Sequence, residues 1–367
     1  MKVLMLSTDK KIFENGSGSQ ERIKEYGSLV DELHIIIFTK TNEAFKEVSW
    51  GNVLVYPTRT LFRPLYFFNV LRVVRSIIRS NTYEWIVTAQ DPFEVGLSGY
   101  LIKRKYKLPL QIQIHTDFLS PYFWQESLKN KIRVVLGKWL VKKADGIRVV
   151  SDRIKKSLVT SHWSLADKVV VLPIFVNTEK IKNAPVRTDL HKKYPNYNFI
   201  ILMASRLSVE KNIGLAIEAV KYLIPNYPNV LLLIVGDGPE LKTLKIQVVS
   251  HKLQDNVVFE SWTDDLVSYY KTADLFLLTS NYEGYGRTIV EAVAANLPVL
   301  MTDVGVAVGC IVPVGGKDKL VDRLRLLIGS EVEREKVLEG QKLFSHNCPT
   351  KDEYLNLIKQ SWQNCFS

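Results

Sequence analysis

Short apolar runs alternate with amphipathic stretches along most of the chain. In the first half, runs rich in Val, Ile and Leu are separated by segments with helical periodicity, such as 20–30 and 92–105. The runs predict buried strands, and the intervening pattern predicts helices. Strands are predicted at 2–7, 33–38, 53–56, 85–89, 110–115, 146–150 and 169–172. Because continuous apolar strands separated by helices are typical of a parallel sheet covered on both faces, we expect a doubly wound α/β domain at 1–175.

The alternation is interrupted once and then restarts. Residues 176–198 are polar and contain Pro185 and Pro195, which predicts an interdomain connection. A second doubly wound α/β domain is predicted at 199–348, and 349–367 is predicted to be a C-terminal helix that packs back on the first domain. Its strands are predicted at 199–205, 230–235, 257–259, 275–279 and 299–302, and helices at 213–223, 239–251, 266–272, 287–295 and 351–363.

The net charge of +11 is concentrated in one half of the chain. Residues 1–180 contain 28 basic and 17 acidic residues, so 181–367 are neutral overall. This asymmetry indicates an anionic partner for the first half. Two stretches, 61–80 with Arg63, Arg72, Arg75 and Arg79, and 121–156, mix basic and apolar residues. This mixture is typical of a helix on an anionic membrane surface, although charge alone fits an anionic glycan equally. No recognised nucleic-acid module is present, and nucleic acid is not expected as a partner.

Cysteine usage and hydropathy suggest a compartment. Cys310, Cys348 and Cys365 are odd in number and lack metal-ligand spacing, which fits a reducing cytosol. No uncharged apolar stretch reaches the roughly 18 residues that span a bilayer. We therefore expect a cytoplasmic protein, peripheral at most on the inner face of the cell membrane.

The densest candidate site is 281–291, which follows a predicted strand and opens a predicted helix. It contains Glu283 and Glu291 at a separation of eight positions, with Gly284 and Gly286 between them. Glycines allow close backbone approach, and a helix N-terminus favours an anion. Glu291 is placed to accept hydrogen bonds from ribose hydroxyls while Glu283 faces a sugar.

This segment resembles the E-x7-E signature of retaining glycosyltransferases of GT-B architecture, specifically glycosyltransferase family four (glycosyl transferases group 1). The resemblance extends over nearly the whole chain and implies two Rossmann-like domains that face a central cleft. It implies that Glu283 lies against the donor sugar and Glu291 holds the nucleotide ribose. The backbone of Gly284, Tyr285 and Gly286 would approach the sugar or the diphosphate.

Two further loops of the second half fit the same donor site. Arg206 and Lys211 follow the strand at 199–205 and can neutralise a diphosphate, as the corresponding family residues do. Gly236 and Gly238 follow the strand at 230–235. A Gly-x-Gly turn is a weak signal alone, but it matches a family loop that lines the donor site.

The first half offers candidates for the acceptor side. His115 ends a predicted strand, and the family carries a histidine here that contacts the donor sugar. Asp117 is placed to orient it or to bind acceptor hydroxyls. Gly16, Ser17 and Gly18 form a loop after the first strand whose backbone amides can cradle phosphate or sugar oxygens.

The sequence thus predicts a retaining glycosyltransferase that transfers sugar from a nucleotide diphosphate sugar to a glycan or lipid-linked acceptor hydroxyl. Its catalytic group would be Glu283, His115, Arg206 and Lys211. No Asp-x-Asp occurs, so neither a metal nor another cofactor is expected. Alternatives are a sugar-nucleotide epimerase or phosphorylase on the same fold, and an inactive basic relative that binds membranes or polyanions. A nicotinamide oxidoreductase is disfavoured because Gly-x-Gly-x-x-Gly does not follow the first strand.

Two positions depart from the family pattern. Asn296 replaces a turn glycine, and asparagine tolerates the positive φ that such a turn needs. The segment 303–316 is shorter than in the family, which predicts weakened donor binding.

Overall fold

The computed structural model describes residues 1–62, 66–78, 84–161 and 163–366. They divide into two compact units: unit 1 contains Met1–Pro173 and Lys351–Ser367, and unit 2 contains Ile174–Thr350. Each unit is built on one largely parallel sheet with helices, which confirms the predicted α/β class. All the predicted strands are present, with ends displaced by at most one residue.

Unit 1 contains an eight-stranded sheet. Its strands are β1 (Lys2–Ser7), β2 (Glu32–Ile37), β3 (Val48–Trp50), β4 (Val53–Pro57), β5 (Trp85–Ala89), β6 (Leu110–Ile114), β7 (Gly146–Val149) and β8 (Val169–Val171). They lie in the order β3-β4-β2-β1-β5-β6-β7-β8. The edge strand β3, which the sequence did not predict, pairs antiparallel with β4, and the other pairs are parallel. The carboxyl ends of β1, β5 and β6 therefore meet at one edge, where an open sheet binds ligands.

The helices of unit 1 separate these strands along the chain. They are α1 (Gly18–Gly27), α2 (Tyr66–Ile77), α3 (Glu94–Tyr106), α4 (Pro121–Glu126), α5 (Leu128–Val141) and α6 (Asp152–Ser161). Helix α3 packs against both α2 and α5. Of the predicted basic stretch 61–80, Arg63 and Arg79 lie outside the described residues.

Unit 2 contains a six-stranded parallel sheet. Its strands are β9 (Phe199–Ala204), β10 (Val230–Val235), β11 (Val257–Glu260), β12 (Leu275–Leu278), β13 (Val299–Thr302) and β14 (Cys310–Val312), in the order β11-β10-β9-β12-β13-β14. Alternate residues of β9 enter different cores: Ile201 and Met203 belong to one apolar cluster, and Ile200 and Leu202 to the other. This alternation explains why the strand is apolar throughout.

The helices of unit 2 include four that the sequence did not predict. Its helices are α7 (Thr178–Asn183), α8 (Leu190–Lys193), α9 (Ile213–Lys221), α10 (Leu241–Ser250), α11 (Leu266–Thr272), α12 (Arg287–Ala294), α13 (Lys317–Gly329) and α14 (Glu331–His346). The four are α7, α8, α13 and α14. Asn296 closes the turn after α12 with φ 60°, so the expected left-handed turn is present.

Residues 176–198, which the sequence predicted as an interdomain connection, belong to unit 2. Helix α7 packs against α12, and Leu190 is buried among the apolar residues of the sheet. Two of the polar residues that suggested a linker are helix caps: the side chains of Asn177 and Asp189 accept backbone N–H groups of α7 and α8.

The last helix, α15 (Lys351–Gln363), belongs to unit 1. It buries Tyr354, Ile358 and Trp362 on one face, because residues four positions apart share a helix face. Trp362 meets Tyr26 of α1 edge-on with ring centroids 6.0 Å apart. The helix therefore completes the core of unit 1.

Replacing Trp362 by Ala is expected to destabilise unit 1 by about 3–5 kcal/mol, since it leaves a cavity under α15. Leu357→Ala on the exposed side of the same helix is the matched control, with an expected loss below about 1 kcal/mol. Denaturant-induced unfolding followed by circular dichroism measures both. Equal losses for the two variants would contradict the packing of α15.

Candidate functional site

The loops after β9 and β12 meet at the point where the strand order of unit 2 reverses. Lys211 Nζ lies 2.5 Å from Glu283 Oε1, and both side chains are mostly buried. Ser280 Oγ donates to the same carboxylate oxygen at 2.8 Å. Thr279 Oγ1 donates to the carbonyls of Lys211 and Asn212, which ties the two loops together. In doubly wound sheets this crevice is where ligands bind.

Arg206 stands on the β9 loop with a largely exposed guanidinium. Its Nη2 lies 2.8 Å from Glu210 Oε1, and Ser208 Oγ donates to the same oxygen at 2.6 Å. Burial by itself raises the pKa of Glu210, but the hydrogen bonds from Ser208 and Arg206 outweigh it and lower the pKa below its usual value. Glu210 was not among the predicted residues; its signal was its place four positions after Arg206.

Glu291, on α12, is held from two sides. Arg287 Nε donates to Oε1 at 2.9 Å, and Tyr270 O–H donates to Oε2 at 3.1 Å. Tyr270 is buried, and burial followed by the Glu291 charge raises its pKa well above the usual value, so the phenol remains a donor. Sequence reasoning missed Tyr270 and Arg287. The contact between Arg287 and Glu291 could have been indicated by their i, i+4 spacing, whereas the sequence holds no signal for the contact with Tyr270.

The glycine-rich segment between the two acids is fixed by the backbone. Gly286 directly precedes α12 as its N-cap and has φ 88°, a conformation that favours glycine. Tyr285 buries its side chain, and its carbonyl accepts the N–H of Val306 at 2.9 Å. Gly284 lies in the loop between Glu283 and these residues.

The segment after β13, which is expected from the sequence to be short, packs directly against this acidic loop. Gly305 has φ 55°, and a Cβ placed there would lie 2.6 Å from the Tyr285 carbonyl oxygen and 3.0 Å from Glu283 Cβ. The segment leads straight from β13 to its neighbour β14. The short connection therefore leaves no room for a side chain beside Glu283 at this point.

Gly236 and Gly238 are required by a crossing of two backbones. A Cβ on Gly236 would lie 1.9 Å from the Ser205 carbonyl oxygen, and one on Gly238 would lie 2.2 Å from that of Leu207. The Leu207 N–H donates to the carbonyl of Asp237 at 2.9 Å. The β10 loop therefore braces the backbone that carries Arg206, and donor contact by these glycines stays a prediction.

In unit 1, residues 16–18 lead into α1 in the connection that follows β1. Ser17 Oγ accepts the N–H of Gln20 at 3.1 Å and caps the helix. Gly16 has φ 75°, and its N–H donates to Gln20 Oε1 at 3.2 Å. Gly18 is the first residue of α1. The loop has the predicted place, and its role with phosphate or sugar stays a prediction.

His115 follows β6 and is held by Gln113. Its Nε2 lies 3.0 Å from Gln113 Oε1, while Gln113 Nε2 donates to Thr88 Oγ1 at 2.8 Å. The Gln113 oxygen therefore accepts, which makes His115 Nε2 the protonated nitrogen and leaves Nδ1 as an acceptor. Burial, followed by the charges of Arg148 and Arg22, lowers the pKa of His115 to about 3.

Asp117 does not have the orienting role that was one of its expected roles. In the part of the chain that the structure describes, the side-chain partner of His115 is Gln113, two residues away on the same side of β6. Asp117 is itself buried, and burial raises its pKa, opposed by Arg153. A role with acceptor hydroxyls stays a prediction.

The described residues, 1–62, 66–78, 84–161 and 163–366, offer neither a metal cluster nor a membrane span. No group of three or more His, Cys, Asp and Glu side chains there could hold a metal ion. No helix among them is both long and apolar enough to cross a membrane.

Two family models match consecutive parts of the chain. Residues 24–180 match Glycosyltransferase Family 4, and residues 186–338 match Glycosyl transferases group 1. The chain belongs to this glycosyltransferase family. The two regions that match contain all the unit 2 candidates together with His115 and Asp117.

Two curated relatives of this glycosyltransferase have lipid molecules in their names. An alpha-monoglucosyldiacylglycerol synthase of Streptococcus pneumoniae is 29% identical over 59% of this chain and 51% of its own length. The UDP-Gal:alpha-D-GlcNAc-diphosphoundecaprenol alpha-1,3-galactosyltransferase of Escherichia coli is 26% identical over 89% of this chain and 90% of its own. Two relatives are each 29% identical to this chain, an uncharacterized glycosyltransferase of Methanocaldococcus jannaschii and the Streptococcus pneumoniae synthase. The match with this chain spans only 65% of the length of the first and 51% of the second.

Solved structures agree with the fold of the glycosyltransferase. Anabaena HepE in complex with UDP and glucose superposes with a TM-score of 0.74 at 19% identity, covering 99% of each chain. The GT-B architecture is therefore shown.

Replacing Gly305 by Ala is expected to displace the Glu283–Tyr285 loop and to lower sugar transfer at least tenfold, because the new Cβ overlaps a carbonyl oxygen. Gly340→Ala is the control, since no atom lies within 4 Å of its Cβ position. Turnover and thermal stability should both be measured. Full activity of the Gly305 variant would show that the loop contact is dispensable.

His115 is expected to stay neutral with its proton on Nε2 between pH 5 and pH 8, because its pKa lies near 3. The pKa of His115 is lower in the folded state than in the unfolded chain, where it is about 6.5. The free energy of unfolding therefore keeps its full value above about pH 6.5 and falls as the pH drops below that value, because the unfolded chain then binds a proton that the folded protein does not. Nitrogen-15 NMR of the ring reports both tautomer and titration. Gln113→Glu should raise the His115 pKa; a midpoint near 6.5 in the unaltered protein would refute the assignment.

Proposed function

We propose that the chain is a retaining glycosyltransferase that moves a sugar from a nucleoside diphosphate sugar to a hydroxyl of a glycan or lipid-linked acceptor. The observation that carries the proposal is the Lys211–Glu283 pair at the strand-order reversal of unit 2, with Arg206 and Glu291 on the adjoining elements. In this proposal the cations bind a diphosphate, and the carboxylates bind sugar and ribose hydroxyls.

Arg206 and Lys211 bind the diphosphate in this proposal. Arg206 is exposed and has only Glu210 as a carboxylate partner in the described ion pairs, so its fork can turn to phosphate oxygens. Lys211 is held near Glu283 and supplies a second positive charge. As the bond from the anomeric carbon to the phosphate oxygen breaks, negative charge grows on the leaving group. Both cations then stabilise the transition state more than the bound donor.

The two acids hold the two ends of the donor. Glu291 accepts hydrogen bonds from the ribose, with Tyr270 keeping one carboxylate oxygen in place. Glu283 lies against the sugar and stabilises its positive charge as the bond breaks. The acceptor oxygen bonds to the anomeric carbon on the face that the phosphate leaves, and its proton passes to the leaving phosphate. Nδ1 of neutral His115 accepts a hydrogen bond that a sugar hydroxyl donates.

UDP-sugars are the first donors to test, because HepE binds UDP and the Escherichia coli relative uses UDP-Gal. The proposed reaction needs no metal and takes place in the cytoplasm, and the acceptor belongs to cell-surface polysaccharide or glycolipid synthesis. The names of both curated relatives described above contain a lipid, diacylglycerol in one and diphosphoundecaprenol in the other.

A panel of UDP-, GDP- and ADP-sugars tests the proposal. Glu283→Gln should lower turnover by about 100-fold or more, because the sugar loses a charge that acts in the transition state. Glu291→Gln should mainly raise the KM for the donor by about tenfold. Glu333→Gln is the matched control, since Glu333 is also paired with a lysine, Lys336, on an outer helix of unit 2.

The product decides between the proposal and its alternatives. NMR should show the anomeric configuration of the donor retained, and transfer should persist in EDTA. Donor conversion that needs no acceptor would indicate an epimerase or a phosphorylase instead. Equal behaviour of the three variants and the unaltered protein would reject the assigned site.

A further inference from the structure

Helix α5 is apolar on two opposite faces. Its inner face buries Val134, Gly137 and Val141 in unit 1. Leu128, Ile132, Val135 and Trp139 recur at intervals of four, three and four residues, which places them on one stripe of the helix. Their exposed fractions are 74%, 62%, 62% and 42%. This α5 stripe therefore presents four large apolar side chains to solvent.

The neighbouring elements extend the apolar surface. Tyr122 and Trp124 of α4 are exposed. The Trp139 ring packs edge-on against Tyr100 of α3, with ring centroids 4.9 Å apart, so its orientation is fixed. Aromatic side chains with one apolar and one polar side are typical of a membrane–water interface.

The α5 stripe is bordered by cations. Lys129, Lys131 and Lys138 on the same helix and Lys142 directly after it are all exposed. Glu126 is the single acid between positions 121 and 143. Arg133 differs from these lysines because its charge is paired: its Nη2 lies 2.9 Å from Oε1 of Glu94 on α3. The lysines thus give the surface an excess of positive charge.

The combination selects one kind of partner. An anionic glycan matches the lysines but offers little apolar surface to cover Leu128, Ile132 and Val135. A second copy of the chain, placed stripe to stripe, would bring like charges together, which opposes association. An anionic bilayer satisfies both features, since its headgroups attract lysines and its acyl boundary takes up apolar side chains.

We propose that the exposed face of α4 and α5 docks on an anionic lipid bilayer, with the α5 stripe entering the acyl boundary and the flanking lysines at the headgroups. The partner goes beyond the proposed transfer reaction, because the surface lies in unit 1 and its binding requires no sugar donor. In this proposal, the anionic lipid surface is the partner that the excess positive charge of residues 1–180 indicates.

Cosedimentation with vesicles tests the surface in the absence of nucleotide sugars. The full chain should bind phosphatidylglycerol-containing vesicles and not pure phosphatidylcholine vesicles, and binding should weaken as salt rises. Ile132→Gln with Val135→Gln should reduce partitioning by about tenfold or more. Lys131→Gln with Lys138→Gln should reduce it by a similar factor on anionic vesicles.

A matched control lies on α10 of unit 2. Ile246 and Val249 have the same residue types and the same spacing as Ile132 and Val135, and exposed fractions of 62% and 59%. Exposed Lys242 and Lys245 lie on the same helix. Ile246→Gln with Val249→Gln should leave vesicle binding unchanged, so a general loss of surface hydrophobicity is distinguished from loss of the α5 stripe.

Two vesicle results with the unaltered chain would overturn the proposal: no binding to anionic vesicles, or equal binding to anionic and neutral vesicles. Equal losses of vesicle binding in the stripe variant and the control variant would also overturn it. So would a dimer of the chain that only the stripe substitutions dissociate. Light scattering after gel filtration measures the last. Glu283→Gln should bind vesicles like the unaltered chain. An inactive donor site would therefore leave the vesicle result intact, and failure on vesicles would leave the transfer assay intact.

Discussion

The contact between Lys211 and Glu283 is the interaction on which the candidate donor site depends. It joins the loops that follow β9 and β12, the two strands between which the order of the sheet reverses. A mostly buried ion pair adds little net stability, because desolvation offsets much of the attraction. Its effect is on geometry: removing one partner leaves a poorly solvated charge, so the two loops keep one arrangement.

The rest of this edge of unit 2 supports that arrangement through close backbone approaches. Gly236 and Gly238 let the β10 loop cross the backbone that carries Arg206, and Gly305 lets the β13 loop rest on the Glu283 loop. Four consecutive loops of the sheet thus brace one another. Glycine is required at these crossings even without a ligand, which is why glycine patterns alone are weak evidence for nucleotide binding.

The sequence predicted the sheets well and the contacts within the site poorly. Runs of Val, Ile and Leu mark strands buried on both faces, so their ends could be predicted within one residue. Glu283, Glu291, Arg206 and Lys211 could be named from motif resemblance. Their partners could not, because Tyr270 and Glu291 come together only when α11 packs beside α12.

Local polarity also misled the interpretation of two segments. Residues 176–198 looked like a linker because their polar side chains cap short helices, while the burial of Leu190 depends on tertiary packing. Asp117 looked like the partner of His115 from proximity along the chain. Gln113 takes that place because side chains two apart on a strand share a face.

The discontinuity of unit 1 has a consequence for synthesis of the chain. All residues of unit 2, up to Thr350, are translated before α15. The sequence of unit 2 is therefore complete while unit 1 still exposes the face that Tyr354, Ile358 and Trp362 later cover. The first sheet to be translated is the last to be completed, and during that interval the nascent chain carries an uncovered apolar surface on the half that is synthesised first.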